Sequence, residues 1–251
     1  MIRFENTEVV GWERAVCGMR NPMNSWEKSD SFCDPKKDNC SACSDREKCA
    51  YIFEQDGKPY RSKIGPNDLD LMKRLRNAGT DHRKFMRMIV VYVDITAPLY
   101  WWKEFDTYKV GTVANSCSTM HKIHAEEFAL KDFSCEHLLN DRTICWTEDI
   151  MTGPESFQTP LEIMETIIDS LNTYREKYLK TKDKKYWWQM IQLLPSSYNQ
   201  KRTVMMNYEV LANIYKSRKN HKLDEWSVGL MSWIKSLPYA ELIVGGGSGN
   251  E

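Results

Sequence analysis

The sequence predicts an α+β fold, with a small antiparallel or mixed sheet in its first half and a helix-rich second half. Segment 86–95 is apolar and rich in β-branched and aromatic residues, as a buried strand is. Beyond residue 159, apolar residues recur at the three- and four-residue spacing of amphipathic helices. We predict one α+β domain over residues 1–244, which includes a polar insertion at 24–64, and a flexible glycine-rich tail at 245–251.

Cap and turn residues set the expected limits of the elements. A helix is predicted between the N-cap Asn67 and the C-terminal stop Gly79. Pro98 ends the strand and opens a short helix over 99–105. Thr159-Pro160-Leu161-Glu162 has the pattern of a capping box with proline at the first helical position. Further helices are predicted at 186–194, 205–215 and 223–234.

The composition excludes several classes of protein. The 35 basic and 35 acidic side chains cancel, which argues against a DNA-coating protein. An apolar fraction of 41% is too high for an intrinsically disordered chain. There is no apolar stretch long enough for a membrane span, and charges at the start of the chain rule out a signal-peptide core. We therefore expect a cytoplasmic protein.

Four of the eight cysteines form a cluster with the spacing C-x6-C-x2-C-x5-C, namely Cys33, Cys40, Cys43 and Cys49. Such a set can hold a structural zinc ion or an iron–sulfur cluster, and Cys17 could replace any of the four. The alternatives are a loop that merely contains thiols, or disulfides. A metal-stabilised docking element for another protein or for single-stranded nucleic acid is a further alternative, although the neighbouring charges cancel and disfavour nucleic acid.

The segment APLYWWKEFDTYKVGTVANSCSTM at 97–120 combines a proline break, an aromatic helix and a basic, hydroxyl-rich loop. It resembles the signature segment of the flavin-dependent thymidylate synthases (the ThyX family), whose motif is R-H-R-x2-S-x-N-E-x-S-x-R. Aligned without gaps, the motif falls on Thr107-Tyr108-Lys109, Thr112, Ala114-Asn115, Cys117 and Thr119. Of these residues, Lys109 and Thr112 are similar to the motif residues at their positions, an arginine and a serine.

A second resemblance lies near the C-terminus. Family members carry a Leu-Pro pair, then a helix with two asparagines six residues apart on one broad face, then an arginine five residues later. Leu194-Pro195, Asn207, Asn213 and Arg218 have this spacing, and His221 and Asp224-Glu225-Trp226 follow as a similar run. The resemblance covers roughly residues 67–236, and it implies a first strand and turn at 9–17.

The resemblance implies a homotetramer with active sites at subunit junctions. It implies an enzyme that binds FAD and a pyrimidine nucleotide, dUMP. The flavin is reduced by NADPH, and a one-carbon unit from methylenetetrahydrofolate converts dUMP to dTMP. By this resemblance the chain is a flavoprotein methyltransferase.

The resemblance and the chemistry of the side chains together suggest site residues. Cofactor-binding candidates are Thr107, Tyr108, Lys109, Asn207, Asn213 and His221. Substrate-binding candidates are Lys103, Glu104, Cys117, Thr119, Lys201, Arg202 and Arg218. Cys117 stands at a motif serine, and its thiolate could attack C6 of a pyrimidine with help from Lys109, while Asn115 could bond the base edge. The alternative, which we favour from the sequence, is that Cys117 is a small buried residue in place of the motif serine.

Several motif charges are replaced, which supports an alternative function. Thr107, Tyr108 and Thr119 stand where the family has cationic or imidazole side chains, and Asp106 adds a negative charge. Each lost charge-assisted hydrogen bond weakens phosphate binding by roughly 1.5–3 kcal/mol. The alternative is a nucleotide-binding or protein-interaction homologue that has lost catalysis.

Overall fold

The structure is a computed structural model that describes residues 2–31, 64–141, 144–145 and 157–245. The four clustered cysteines Cys33, Cys40, Cys43 and Cys49 lie outside the described residues, as do most of the predicted insertion and nearly all of the predicted tail. Among the described residues there is no group of three or more histidine, cysteine or carboxylate side chains that could hold a metal ion.

Six strands form two sheets in the described chain. A four-stranded antiparallel sheet has the order β1-β2-β6-β3, and β4 and β5 form an antiparallel pair with Ile144 opposite Gln158. The strands are β1 (Arg3–Val10), β2 (Val90–Pro98), β3 (Thr112–Ser116), β4 (Ile144–Cys145), β5 (Phe157–Gln158) and β6 (Asn199–Asn207). With the helices below, they confirm the predicted α+β class.

Strand β2 is confirmed, but its limits differ from the predicted 86–95. Val91, Val93, Ile95 and Ala97 alternate along it and are buried, so one face of the strand packs into the interior. Arg83–Met88 forms a 3₁₀ helix instead. This segment contains no β-branched residue, so its side chains do not favour an extended backbone.

The described residues of the first half contain four α-helices: α1 (Trp12–Arg20), α2 (Pro66–Asn77), α3 (Leu99–Phe105) and α4 (Thr119–Lys122). The predicted strand and turn at 9–17 is wrong beyond Val10, because residues 12, 15, 16 and 19 form a buried helical stripe. Helix α2 begins at Pro66 with Gly65 as its N-cap, two residues before the expected cap Asn67. Gly79 follows it with φ +111°, as a C-terminal stop requires. The short helix after Pro98 is confirmed.

Five α-helices are described in the second half, within residues 157–245: α5 (Pro160–Thr181), α6 (Lys184–Leu193), α7 (Tyr208–Arg218), α8 (Met231–Ser236) and α9 (Glu241–Val244). A π-helical segment, Glu225–Leu230, leads into α8, and the Met231 N–H donates to the carbonyl of Trp226 five residues back. The capping box at Thr159 and Glu162 is confirmed. Among the helices described, none is long and apolar enough to span a membrane.

The predicted helix at 205–215 is wrong at its start. Met205 and Met206 belong to β6, and Asn207 is the N-cap of α7. Its side-chain oxygen accepts a hydrogen bond from the Val210 N–H at 3.0 Å, which fixes the first turn of the helix. The helical spacing of apolar residues thus continues across the boundary between β6 and α7, and in the sequence this boundary is marked by the cap residue Asn207.

The chain divides into two compact units. Unit 1 comprises residues 1–5, 94–107 and 114–203, and unit 2 comprises residues 6–93, 108–113 and 204–251. The core of unit 1 is formed by Ile123, Phe128, Phe133, Met164, Ile168, Leu171 and Met190. In unit 2, Trp12 packs edge-on against Tyr208, with ring centroids 5.1 Å apart. The single domain expected over 1–244 stays a prediction.

Candidate functional site

The residues proposed from the sequence fall into both units. Tyr108, Lys109, Asn207, Asn213, Arg218 and His221 belong to unit 2. Lys103, Glu104, Thr107, Asn115, Cys117, Thr119, Lys201 and Arg202 belong to unit 1. Each unit brings several of these residues together around an arginine.

In unit 2, Tyr108, Arg218, His221 and Trp226 form what we call the aromatic–cation cluster. The Arg218 guanidinium lies 5.1 Å from the Trp226 ring centroid and 5.6 Å from that of Tyr108. Its Nε donates to the Tyr108 hydroxyl at 2.8 Å. Rings this close to a guanidinium attract it through their π electrons. The cluster therefore joins the loop before β3 to the C-terminal end of α7.

The turn after α7 places His221 in this cluster. The His221 N–H donates to the Arg218 carbonyl at 3.0 Å, and His221 Nδ1 accepts from the Leu223 N–H at 3.1 Å. Because Nδ1 accepts, the neutral ring carries its proton on Nε2. The His221 and Trp226 ring centroids are 6.0 Å apart. The imidazole thus has a defined orientation.

Asn207 and Asn213 are not on one helical face, since Asn207 precedes the helix. A Cβ on Gly111 would meet the Asn207 amide nitrogen at 3.0 Å, so this loop packs closely on Asn207. Gly111 has φ +76°, where a side chain would be strained. Asn213 Oδ1 accepts from Arg83 Nη2 at 3.2 Å. Asn207 therefore packs on the loop that carries Tyr108, whereas the side chain of Asn213 is bonded to Arg83 of the 3₁₀ helix.

Arg83 also belongs to an ion-pair group around Glu209, which the sequence did not suggest. Glu209 accepts from Arg83 Nε at 3.1 Å and from Arg87 Nε. Burial alone would raise the pKa of Glu209, but the hydrogen bonds from Arg87 and Arg83 lower it below its ordinary value. This group fastens the 3₁₀ helix to the first turn of α7.

In unit 1, Arg202 is the centre of a second cluster with Trp102, Asp106 and Gln200, which we call the Arg202 cluster. Arg202 Nη1 donates to Asp106 Oδ1 at 2.7 Å, and Nε donates to Gln200 Oε1 at 2.9 Å. The guanidinium carbon lies 4.2 Å from the Trp102 ring centroid. Trp102 Nε1 in turn donates to the Gln200 carbonyl at 2.9 Å. The guanidinium is thus held on two edges and one face.

Gln200 connects this cluster to Cys117. Its Nε2 donates to the Cys117 carbonyl at 2.9 Å, and the Cys117 N–H donates to the Lys201 carbonyl at 2.9 Å. Cys117 is exposed, so it is not the small buried residue of the alternative interpretation. The backbone on both sides of the thiol is therefore fixed while its side chain faces solvent.

Lys201 and Arg202 point to opposite faces of the sheet, because successive side chains alternate along a strand. Lys201 Nζ lies 3.1 Å from Asp94 Oδ2 and 3.6 Å from Glu5 Oε2. The hydrogen bond to Asp94 raises the pKa of Lys201. The two cations therefore cannot bind the same phosphate group.

The remaining candidates lie along α3 and β3. Lys103 and Glu104 are on α3, and the Thr107 hydroxyl donates to the Glu104 carbonyl at 2.8 Å, at the end of that helix. Lys109 and Asn115 are exposed, and Thr119 is the first residue of α4. The structure does not give these six a common site.

Sequence reasoning missed the roles of Gln200, Trp102 and Trp226. Gln200 and Arg202 are two residues apart on β6, so a strand prediction for 199–207 would have placed them on one face. Trp226 lies in the run after His221, and its contact with Arg218 depends on the turn between α7 and the π-helical segment.

No protein-family model matches this sequence, and no curated protein is significantly similar to it. Its structure resembles solved structures. Thymidylate Synthase X (ThyX) from Helicobacter pylori, crystallised with FAD and dUMP, matches with a TM-score of 0.58 at 14% identity, over 97% of this chain and 96% of that chain. A second structure, flavin-dependent thymidylate synthase ThyX from Helicobacter pylori complexed with FAD and dUMP, gives the same values.

A third structure, a UMP/dUMP methylase PolB from Streptomyces cacaoi bound with 5-Br dUMP, has a TM-score of 0.49 at 12% identity, over 94% of this chain and 91% of that chain. The first two matches show that the chain has a ThyX-like α+β fold. The match is longer than the segment 67–236 that carries the sequence resemblance.

Proposed function

We propose that this protein is a flavin-dependent enzyme that transfers a one-carbon unit to a pyrimidine nucleotide of the dUMP type. The observation that carries the proposal is the aromatic–cation cluster. It brings Tyr108 together with Arg218 and His221, which lie far from it in the sequence, and the ThyX resemblance assigns all three to ligands. The ThyX-like fold supports the same conclusion.

The proposed reaction balances with methylenetetrahydrofolate and NADPH as co-substrates. The methylene carbon is transferred to C5 of the uracil ring, whose hydrogen leaves as a proton. Conversion of methylene to methyl requires a hydride, and bound FAD, once reduced by NADPH, supplies it. The products are dTMP, tetrahydrofolate and NADP⁺, and one proton is consumed overall.

The described residues fit a flavin at the aromatic–cation cluster. Tyr108 is half-buried and can offer a ring face to a planar polar group, while the fully buried Trp226 packs against the Arg218 guanidinium and holds it in place. The Asn207 amide nitrogen lies beside the same loop, at Gly111. His221 Nε2–H is a further donor in the neutral ring. In this proposal these residues bind and orient the cofactor.

Cys117 is the proposed nucleophile, or an orienting group, for the pyrimidine. Its thiol is exposed, and hydrogen bonds to its N–H and carbonyl hold its backbone in place. Asn115 and Glu104 are proposed to form hydrogen bonds with the edge of the base.

Two further proposals come from the sequence: assembly as a homotetramer, and a structural zinc ion or iron–sulfur cluster at Cys33, Cys40, Cys43 and Cys49.

The test begins with the purified full chain and added FAD. We expect visible flavin absorbance that stays with the protein, and dUMP-dependent NADPH oxidation with dTMP detected by mass. The Arg218→Met variant should no longer bind FAD. The control is Lys219→Met, which also replaces a cation by methionine but at an exposed neighbouring residue, and it should still bind FAD. A protein that stays colourless in excess FAD contradicts the proposal.

The alternative function is a nucleotide-binding or protein-interaction homologue without this catalysis. The observation that favours it is that carboxylates hold both Lys201 and Arg202. Cations so engaged bind a substrate phosphate less readily. Binding of FAD or dUMP without any NADPH oxidation would support the alternative, and turnover would exclude it.

A further inference from the structure

The contacts of Arg202 resemble those that an arginine makes to a bound anionic ligand. Two of its guanidinium nitrogens donate, to Asp106 and to Gln200, and one face stacks on Trp102. The Arg202 side chain is only 15% exposed, whereas that of Asp106 is 50% exposed. The arginine is therefore built into the fold, and its anionic partner reaches it from the solvent side.

Apart from its ion pair with Arg202, Asp106 is in an unfavourable position for a negative charge. It is the C-cap of α3, where the partial negative charge of the helix dipole disfavours another negative charge. Its N–H donates to the Trp102 carbonyl at 2.9 Å, a bond that any residue with an N–H could make. The negative charge at this position is thus explained by Arg202 and not by the helix.

Resting on the proposed function, we propose that Asp106 is a specificity-determining residue that competes with the substrate phosphate for Arg202. A nucleoside monophosphate that binds the guanidinium at Nη1 has to displace the Asp106 carboxylate from it. An uncharged nucleoside makes no such demand. The protein therefore discriminates weakly between a pyrimidine nucleoside and its monophosphate, and removing the Asp106 charge increases that discrimination.

Lys201 does not restore the phosphate interaction, because it lies on the other face of β6 and is paired with Asp94. Gln200 and Trp102 hold Arg202 independently of Asp106. Replacement of Asp106 by asparagine therefore leaves the guanidinium in place with one charged partner fewer. A phosphate that takes over this position gains a charge-assisted hydrogen bond.

The experiment compares deoxyuridine, dUMP and inorganic phosphate binding to the wild-type chain and Asp106→Asn by titration calorimetry. We expect dUMP to bind about tenfold or more tightly to Asp106→Asn, with deoxyuridine unchanged. The control is Asp169→Asn, which removes the same charge from an exposed site on α5 in the same unit. It should change neither the affinity for dUMP nor the affinity for deoxyuridine. An unchanged ratio of dUMP to deoxyuridine affinity in Asp106→Asn overturns the proposal.

A double variant shows whether the gain depends on Arg202. Arg202→Gln in the Asp106→Asn background should abolish the tighter dUMP binding, and a gain that persists overturns the proposal. Asp106→Ala provides a second test if the asparagine variant folds poorly. Inorganic phosphate separates the two proposals: if no pyrimidine binds any variant, the proposed function fails, while tighter phosphate binding to Asp106→Asn still supports the competition.

Discussion

Two arginines, Arg218 and Arg202, are each held by aromatic and polar side chains in their own unit, and the nature of the polar partner differs. Arg218 lies against two rings and donates to a phenol. Arg202 lies against one ring and donates to a carboxylate and an amide. Both guanidiniums are held in place, and for Arg202 one of the partners is the carboxylate of Asp106.

The difference shows that order at an arginine does not by itself indicate a ligand site. A guanidinium that donates to a carboxylate already has an anionic partner, so another anion must compete for it. Aromatic rings attract the same cation without adding a full negative charge. At Arg202, a bound anion therefore has to compete with the Asp106 carboxylate, so this cluster is where selectivity between charged and uncharged ligands can arise.

The largest expected effect in this comparison comes from Trp226→Ala. Trp226 is fully buried, so its removal should lower the free energy of unfolding by about 3–5 kcal/mol, measured by urea denaturation. Arg218 would also lose a ring, so FAD binding should weaken. Trp188→Ala, at an exposed tryptophan of α6, should cost far less. Equal losses for the two variants would contradict the role given to Trp226.

Gln200→Leu tests the Arg202 cluster in the same way. The change removes an acceptor from Arg202 and a donor to Cys117, which should cost about 1–3 kcal/mol in the free energy of unfolding. The loop at Cys117 should also loosen, so its thiol should react differently with a disulfide reagent. Gln189→Leu on α6 is the control, since its amide donates only within that helix. If the reactivity of the Cys117 thiol is unaltered in Gln200→Leu, the Gln200 hydrogen bond does not fix the loop at Cys117.

For Glu209→Gln, which removes the charge from the ion-pair group around Glu209, we expect a loss of stability that depends on pH. The folded chain lowers the pKa of Glu209 from an ordinary value of about 4.5, so its ionised form stabilises the fold above that pH. This stability is lost as the pH falls through the folded pKa. We expect the variant to be less stable by about 1–2 kcal/mol at pH 7, and the difference to shrink below pH ~4. Glu165→Gln, at an exposed site of α5, should show no such pH dependence.

The smallest expected effect is that of Lys201→Met. Its ion pairs with Asp94 and Glu5 are on the exposed side of the strand, where salt screens them. The urea midpoint should shift less than in Glu209→Gln, and the shift should disappear in 1 M salt. A larger shift that survives high salt would mean that Lys201 has a structural role comparable to that of Arg202.

Sequence patterns predicted the elements whose signals are local. The capping box of α5 and the proline that opens α3 depend on neighbouring residues, and both are confirmed. The start of α7 was misplaced because Met205 and Met206 continue the helical spacing although they belong to β6. Periodicity alone cannot separate these states over so short a stretch.

The candidate site was predictable only in part. Tyr108, Arg218 and His221 were chosen from spacing and resemblance, and the structure brings them together. The partners of Arg202 and Lys201 were not foreseen, because a pairing such as that of residues 106 and 202 depends on strand register and helix placement. Long-range electrostatic neighbours of this kind leave no local pattern in a single sequence.

The π-helical segment Glu225–Leu230 has a consequence for how the Arg218 environment could change. A π turn holds one more residue than an α turn, so it behaves as a one-residue insertion in a regular helix. Deleting one residue there would rotate Trp226 by roughly 100° relative to the helix that follows. Trp226 would then turn away from Arg218 without any change of amino-acid type. The geometry of this cluster thus depends on chain length as much as on residue identity.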